Sequence, residues 1–584
     1  MQLKGFALLL PLLAFAALSS PAQAQAASKD IAAVEEEAPQ LKFLELHGYL
    51  RFRFDMFYNM DMGTYNIYSG SYTSRILPPI SARTDGSGTF TPLKGNTLAG
   101  ANMRFRVEPI LNISDEIRIL AQIDIFDNLA LGTTPDAYNG QTGFNVYYPM
   151  PVFSQTQVPP HKGFNSYTDA ITVKRAWAEV MTPFGQLRFG RMPSNWGMGI
   201  LVNDGSCFDC DGGSTADRVI FITKVVQHYI GLGYDFQSMG PTNKYISNNT
   251  GYPIEQYYQP INGDNRDDVQ QYILMFARRD KPEEVKELLE NGKLSINYGL
   301  YNVFRLQAYD YPNYYNSGDI PTTAKDLVHR DVKLYIGSPW FRLHYKKFHL
   351  EFEADFIYGK MGDGTTTNPD VIGGDPDYEA LDLTIFQWGG VLQMDYKFLH
   401  DKLKVGLEAG VASGDRFPGW GVLPIEKVGP FGPRQYGYKD QWGNTVNDTW
   451  ITNFRFNPDY RIDQILWREV IGVFTDAWYI KPTVSYMIVE GFGAALDIIY
   501  SQAMFQETTP GNARPLGIEF DLHLYYQSED GFMAGLDYSV LVPFAGLDNI
   551  GALGIRNSEA PPGPDMLLKA SVAQKLHAYL GVKF

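Results

Sequence analysis

Cysteine is nearly absent, with two residues, Cys207 and Cys210, in a chain of 584. That number cannot build the multi-bridge framework on which small secreted domains without a core depend. Beyond the N-terminus there is no apolar run approaching the roughly 20 residues of a membrane-crossing helix, which excludes a helical bundle in a bilayer. A basic excess is missing too: 49 Lys and Arg against 65 Asp and Glu leave a formal net charge of -16, the wrong sign for nucleic acid. The nine histidines have no partner at an informative spacing, and neither a Gly-x-Ser-x-Gly elbow nor a His-Glu-x-x-His zinc motif occurs, so no enzyme is expected.

What is present begins with an export signal. Met1-Gln-Leu-Lys4 supplies one basic residue, Phe6 to Leu18 an apolar core, and Ala22 and Ala24 the small residues of a cleavage box. We therefore expect residues 1–24 to be a signal peptide, 25–41 a short acidic periplasmic segment and 42–584 one domain. No cysteine stands at the cleavage region to carry a lipid anchor, and fewer than twenty residues separate it from the first strand, too few for a plug domain.

Aromatics reach 14%, with 37 Tyr and 36 Phe beside 56 Gly, a composition suited to half-buried strands and lipid interfaces. The dominant period is two. In Leu44 to Met56 one face carries Leu44, Leu46, Leu50, Phe52, Phe54 and Met56 and the other Glu45, His47, Arg51, Arg53 and Asp55. The pattern returns at Met103 to Val107 and at Ile117 to Ile125. Segments of this kind number eighteen, with sixteen as the alternative, and many run near or beyond the 9 to 11 residues that a tilted strand needs to cross a bilayer. Short turns, such as Asn112 to Glu116, Thr182 to Gly185, Lys346-Lys347, His400-Asp401, Glu490-Gly491 and Ser528 to Gly531, alternate with long polar segments such as 59–98, 128–169, 237–267 and 413–463. The expected fold class is all-β, a transmembrane antiparallel up-and-down β-barrel with long extracellular loops and short periplasmic turns. One insert, Asp280 to Gly292, reads instead as a helix.

The last strand alternates Ala570, Val572, Leu576, Ala578, Leu580, Val582 and Phe584 with Lys569, Ser571, Lys575, His577, Tyr579 and Lys583. A terminal aromatic closing an amphipathic strand resembles the recognition signal of outer-membrane porins. The resemblance implies a bacterial outer-membrane location, with lipid, lipopolysaccharide and the barrel-assembly machinery acting on the strand ending at Phe584 as partners.

On the inward face of the early strands stand Arg51, Arg53, Arg104, Arg106, Arg118 and Arg188, and adjacent strands would stack these cations into a wall that raises the local anion concentration. Opposing charge comes later, from Glu351, Glu353 and Asp355 and from Glu519 and Asp521. The alternative is that these charges only brace a wet interior. The segment Phe184-Gly-Gln-Leu-Arg-Phe-Gly-Arg-Met-Pro-Ser-Asn-Trp-Gly-Met-Gly199, with Lys174-Arg-Ala-Trp-Ala-Glu179 before it, resembles the strand-to-loop passage of porin-like and alginate-export-type barrels. The likeness covers residues 170 to about 220 and implies that the following loop folds inward, with Arg175, Arg188 and Arg191 lining the pore. That loop holds Cys207 and Cys210, which export points to as a disulfide. Asp204, Asp209 and Asp211 with backbone carbonyls would suit calcium, a hard cation, although the full spaced calcium loop is absent. Tyr252, Tyr257, Tyr258, Tyr309, Tyr311, Tyr314 and Tyr315 in later loops would stack on sugar rings or pack at an interface. The sequence thus points to a channel for small hydrophilic, anionic or saccharide solutes, and alternatively to a structural or adhesive surface barrel with an occluded lumen.

Overall fold

A computed structural model describes residues 42–60, 62–64, 82–84, 90–92, 97–131, 171–237, 245–246, 253–254, 268–310, 328–362, 382–415, 438–439, 445–446, 450–506, 508–548 and 569–584. The expected signal peptide, 1–24, and the expected periplasmic segment, 25–41, lie outside them.

Eighteen long strands form the body. The first seven are β1 (Leu44–Tyr58), β2 (Thr97–Asn112), β3 (Ile117–Ala130), β4 (Ile171–Thr182), β5 (Gly185–Pro193), β6 (Thr215–Val225) and β7 (His228–Gln237). Next come β8 (Val269–Arg278), β9 (Leu294–Asp310), β10 (Val328–Tyr345), β11 (Phe348–Gly362), β12 (Asp382–Phe398) and β13 (Leu403–Ala412). The chain finishes with β14 (Ala477–Val489), β15 (Phe492–Ala503), β16 (Pro515–Gln527), β17 (Phe532–Pro543) and β18 (Ala573–Lys583). Each pairs antiparallel with its chain neighbours, and β1 pairs with β18 from Tyr49 opposite Lys583 to Tyr58 opposite Gln574, which closes the ring. Every one of the eighteen periodic segments is one of these strands, so the alternative of sixteen falls away. The final residue takes part in closure: Phe584 N donates to Gly48 O and Gly48 N to Phe584 O, both at 3.1 Å.

Alternation decides which side chains face out. Leu44, Leu46, Leu50 and Phe52 of β1 are exposed on the outside, whereas Arg51, Arg53 and Asp55 between and beyond them are buried inside. The same inversion, apolar exterior and charged interior, runs around the ring, and an exterior of this kind is solvated by hydrocarbon rather than water. Short connections gather at one end. At Val226-Gln227 both residues have positive φ, 47° and 64°, the left-handed conformation that a two-residue hairpin turn needs to match strand twist. The helix α1 (Pro282–Glu290) decorates the connection between β8 and β9 at this end; its first turn is closed by Glu284 accepting from Lys281 N at 2.9 Å, while Asp280 accepts from the Ser295 hydroxyl instead of capping.

At the other end two connections turn into the barrel. Residues 194–214 between β5 and β6 form the first inward loop, and residues 450–476 before β14 form the second. The second carries Phe454, Phe456, Ile462, Ile465, Leu466, Trp467, Val470 and Phe474 into an apolar cluster with Phe57 of β1 and Tyr479 of β14, so part of the hydrophobic core lies inside the ring.

A closed ring satisfies every strand amide internally and should resist detergent until heated. Unboiled protein is expected to migrate differently from boiled protein on a detergent gel; identical mobility together with recovery in a water-soluble fraction would rule out the lipid-solvated barrel.

Candidate functional site

The first inward loop is held by cations from the wall. Arg51 of β1 donates to Phe208 O at 2.8 Å, to Asp211 Oδ1 at 3.1 Å and to the Asn128 side chain. Arg53, two residues along the same face, donates to both oxygens of Asp211 at 2.9 Å and to Asp209 Oδ1 at 3.1 Å. From β2, Arg104 reaches Cys210 O at 2.8 Å and Asp127 Oδ1 at 2.7 Å. Arg175 of β4 fastens the base of the loop through Asp204 O at 2.7 Å and Ser214 O at 3.2 Å. The arginines of this wall face inward as their alternation requires, but Arg51 and Arg104 are 0% exposed and Arg53 2%: they grip the loop instead of meeting solvent.

Cys207 and Cys210 are joined in a disulfide with Cα atoms 5.1 Å apart, and Cys210 N donates to Cys207 O at 3.1 Å. This small ring aims the carbonyls of Phe208 and Cys210 and the carboxylates of Asp209 and Asp211 at the arginines. The second inward loop completes the cage, with Arg468 2.5 Å from Asp209 and Arg461 3.6 Å from Asp211, while Asp459 accepts from Asp211 N and Gly212 N at 3.2 and 3.3 Å. Burial alone would raise both carboxyls. The guanidiniums, Arg468 foremost for Asp209 and Arg53 foremost for Asp211, instead hold them well below the usual carboxylate range. The calcium set does not assemble: Asp209 and Asp211 are spent on guanidiniums, Asp204 accepts from Ser206 N at 3.0 Å, and no metal-binding group of three or more His, Cys, Asp or Glu exists among the described residues.

Carboxylates of the later strands perform the reciprocal task. Glu353 of β11 accepts from Met198 N and, at 3.0 Å, from Gly199 N of the first loop. Glu519 of β16 accepts from Gln464 N, Ile465 N and Leu466 N of the second loop at 3.1, 2.7 and 3.0 Å. Glu353 and Glu519 each have an aspartate, Asp355 or Asp521, two residues further along the same inward face and equally buried. Wall glycines make room for loop aromatics, Gly389 of β12 for Phe454 among them. A Cβ at Gly299 would lie 2.6 Å from Trp196, which stacks on Tyr301 with ring centres 5.5 Å apart, and one at Gly581 would lie 2.1 Å from Phe208.

Other expected lining residues are also paired. Arg106 is bidentate to Asp124 at 2.6 and 2.8 Å, Arg118 and Arg188 share Glu179 at 2.7 and 3.3 Å, and Glu351 accepts from Trp340 Nε1 and Arg342 at 2.7 Å each. Arg191 must be corrected: it stands on the outer face, half exposed, paired with Asp217 at 2.7 Å. It stands three positions along the strand from Arg188, and an odd offset in a strand puts the two on opposite faces. Of the loop tyrosines, Tyr252, Tyr257, Tyr258, Tyr311, Tyr314 and Tyr315 lie outside the described residues, as does the side chain of Tyr309.

Sequence reasoning passed over a second set. Below the loops, toward the short turns, lies a cavity of ≈ 330 Å³ whose wall includes His349, Asp395, Lys404, Glu408, Lys481, Asp497, His523 and Asp537, with Cys207, Phe208, Asp209, Arg461 and Arg468 at the loop side. Lys481 pairs with Asp497 at 3.0 Å, and His523 bridges Asp537 at 2.8 Å and Asp497 at 3.7 Å. Alternation on β11 to β17 would have marked the strand residues among them as inward.

No protein-family model and no curated protein matches the chain. Among solved structures, a BenF-like porin from Pseudomonas fluorescens is 10% identical over 94% of this chain and 100% of that one, with a TM-score of 0.42. The outer membrane protein OprD from Pseudomonas aeruginosa is 9% identical over 94% and 97%, with a TM-score of 0.41. The outer membrane channel DcaP of Acinetobacter baumannii is 10% identical over 93% and 97%, with a TM-score of 0.34. At such scores the likeness is general, and a functional reading has to stand on the closed eighteen-strand barrel and its two inward loops.

If the arginine cage anchors the loop, Arg53→Gln should cost about 3 kcal/mol in denaturant unfolding of the detergent-solubilised protein, as breaking one side of a buried pair does. Asp211→Asn added to it should cost much less than Asp211→Asn alone. Because both loop carboxyls are depressed, the anchor contributes fully above their ordinary pKa of about 4 and weakens only as pH falls below it, so the coupling at about pH 5 should equal that at about pH 8. Additivity within about 0.5 kcal/mol would show that Arg53 and Asp211 do not act together.

Proposed function

We propose that the chain is a channel of the bacterial outer membrane, passing small hydrophilic solutes through a lumen that two inward loops narrow. The observation that carries this reading is the cavity beneath the loops: a space inside a closed barrel, lined by charged side chains of both signs on the strands themselves. An apolar exterior and the segregation of short turns to one end support the location, since outer-membrane barrels place short turns in the periplasm. The inward course of the first loop is supported by its contacts with Arg51, Arg53 and Arg104 of the strands.

Charge refines the reading. The arginines of β1 and β2 are consumed in holding the loop, so they do not offer themselves to passing anions. The cavity wall carries seven carboxylates, those of Asp209, Asp395, Glu408, Asp463, Asp497, Asp521 and Asp537, against four permanent cations, Lys404, Arg461, Arg468 and Lys481, and two histidines, His349 on Asp395 and His523 on Asp537. Neutral polyhydroxylated or cationic solutes fit such a wall better than anionic ones. A second reading, a surface barrel with an occluded lumen, draws on the apolar cluster that the second loop builds inside the ring.

Purified protein in planar bilayers should give discrete conductance steps, with a reversal potential reporting cation preference at low salt. Asp395→Asn, Asp497→Asn and Asp537→Asn together should move that potential toward anions, and less so at high salt, where screening shortens the reach of the wall to a few ångströms. A folded, electrically silent barrel would overturn the channel in favour of the occluded form, and an unmoved reversal potential in the triple variant would place selectivity elsewhere.

A further inference from the structure

Strands β9 to β12 are long, at 17, 18, 15 and 17 residues. Their outward side chains fall into rows fixed by register. One row crosses all four strands as Phe304, Tyr335, Tyr358 and Phe386. Its rings are neighbours, with Phe304 and Tyr335 centred 5.2 Å apart and Tyr358 and Phe386 6.4 Å apart. The next row toward the long-loop end is Leu306, Lys333, Lys360 and Thr384. On β10 the outward positions from Tyr345, at the short-turn end, to Tyr335 span eleven residues, Tyr345, Leu343, Phe341, Pro339, Gly337 and Tyr335, and none of them is charged. On β11 the same span runs from Phe348 to Tyr358. A tilted strand needs roughly 9 to 11 residues to cross hydrocarbon, and aromatic rings settle at its two borders. The four-ring row is therefore the outer border of the lipid belt, and the lysine row stands at headgroup level.

Lys333 and Lys360 are directly opposite each other across the β10–β11 ladder, on the outer face and both exposed. Like charges so placed repel, and an anion between them removes that cost. Asp331 pairs with Lys333 at 2.9 Å, but the two side chains are 67% and 55% exposed, so the pair is solvent-screened and weak.

Resting on the outer-membrane reading above, we propose that the outer face of β9 to β12 binds a phosphorylated glycolipid of the outer leaflet. The phosphate sits between Lys333 and Lys360, with the Thr384 hydroxyl beside it in the same row. The acyl chains lie over Phe304, Tyr335, Tyr358 and Phe386 and, one row deeper, over Phe356 and Trp388. A free phosphate ion has no use for the aromatic rows, and an unphosphorylated lipid has none for the lysines. The combination selects a molecule with both parts.

Native mass spectrometry of the purified full-length barrel titrated with diphosphoryl lipid A tests this. Lys333→Gln with Lys360→Gln should weaken binding by about ten-fold or more, as two near-surface lysines warrant. Lys346→Gln should leave it unchanged, since Lys346 lies over the Tyr345 ring at the opposite border, with its Nζ 5.2 Å from the ring centre. Dephosphorylated lipid A should bind the unaltered protein as weakly as the double variant binds the phosphorylated form. Equal binding by unaltered and double-variant protein, equal binding of the two lipids, or competition by inorganic phosphate as effective as by the lipid would each overturn the site. Bilayer conductance of the double variant, whose changes lie outside the lumen, should match that of the unaltered protein. Lipid binding by an electrically silent barrel would sink the channel and leave the lipid site standing.

Discussion

A peptide group facing lipid has no water to bond to, and the eighteen-strand ring exists because closure is how an extended chain meets that condition. Everything else in the molecule depends on the alternation that closure imposes. Once every second side chain faces hydrocarbon, the others point into a common interior, and their charges are set by what that interior must hold. Pairing of β1 with β18, completed by the reciprocal bonds of Gly48 and Phe584, is thus both the last step of the ring and the condition for having an inside.

The inside is electrostatically divided. Its first strands present guanidiniums, and several of its later ones present carboxylates; a desolvated charge of either sign is costly unless something opposite meets it. The inward loops meet both. Asp209, Asp211 and the carbonyls of Phe208 and Cys210 go to the arginines, whereas the amides of residues 198–199 and 464–466 go to Glu353 and Glu519. Each loop is therefore bound through its own polarity, and its position depends on matching hydrogen-bond geometry as well as on apolar contact. The disulfide contributes by fixing the shape of the segment that carries four of those acceptors.

The strands could be read from the sequence because their determinant is local: a period of two over ten or so residues is visible in any short window. Interior partners could not, because they are distant in the chain. Arg51 and Asp211 are 160 residues apart, and nothing near either one announces the other. Asp204, Asp209 and Asp211 suggest a cation by their charge, and the cations that stand beside Asp209 and Asp211 are guanidiniums, which ask a carboxylate for the same negative oxygens as calcium does. Placing Arg191 in the lumen came from the likeness of a Gly-Arg pair, although parity with Arg188 already assigned it to the outside. Lys481, Asp497 and His523 were legible by that same parity and were passed over because no motif surrounds them.

Aromatic packing by the loops raises a different question, since a wet lumen does not require a hydrophobic core. Trp196 stacks on Tyr301 and fits against Gly299, and Phe208 fits against Gly581, so the wall is recessed at the points where the loops carry their largest side chains. Ionic contacts alone would tolerate small displacements, because several acceptors lie within reach of each guanidinium. A ring seated in a glycine gap does not, since any wall side chain larger than hydrogen would collide with it. Charge therefore brings the loops inward and shape fixes where they stop. The space below them is bordered by one of these seated rings, Phe208 against Gly581 of β18, as well as by the charged residues that line it.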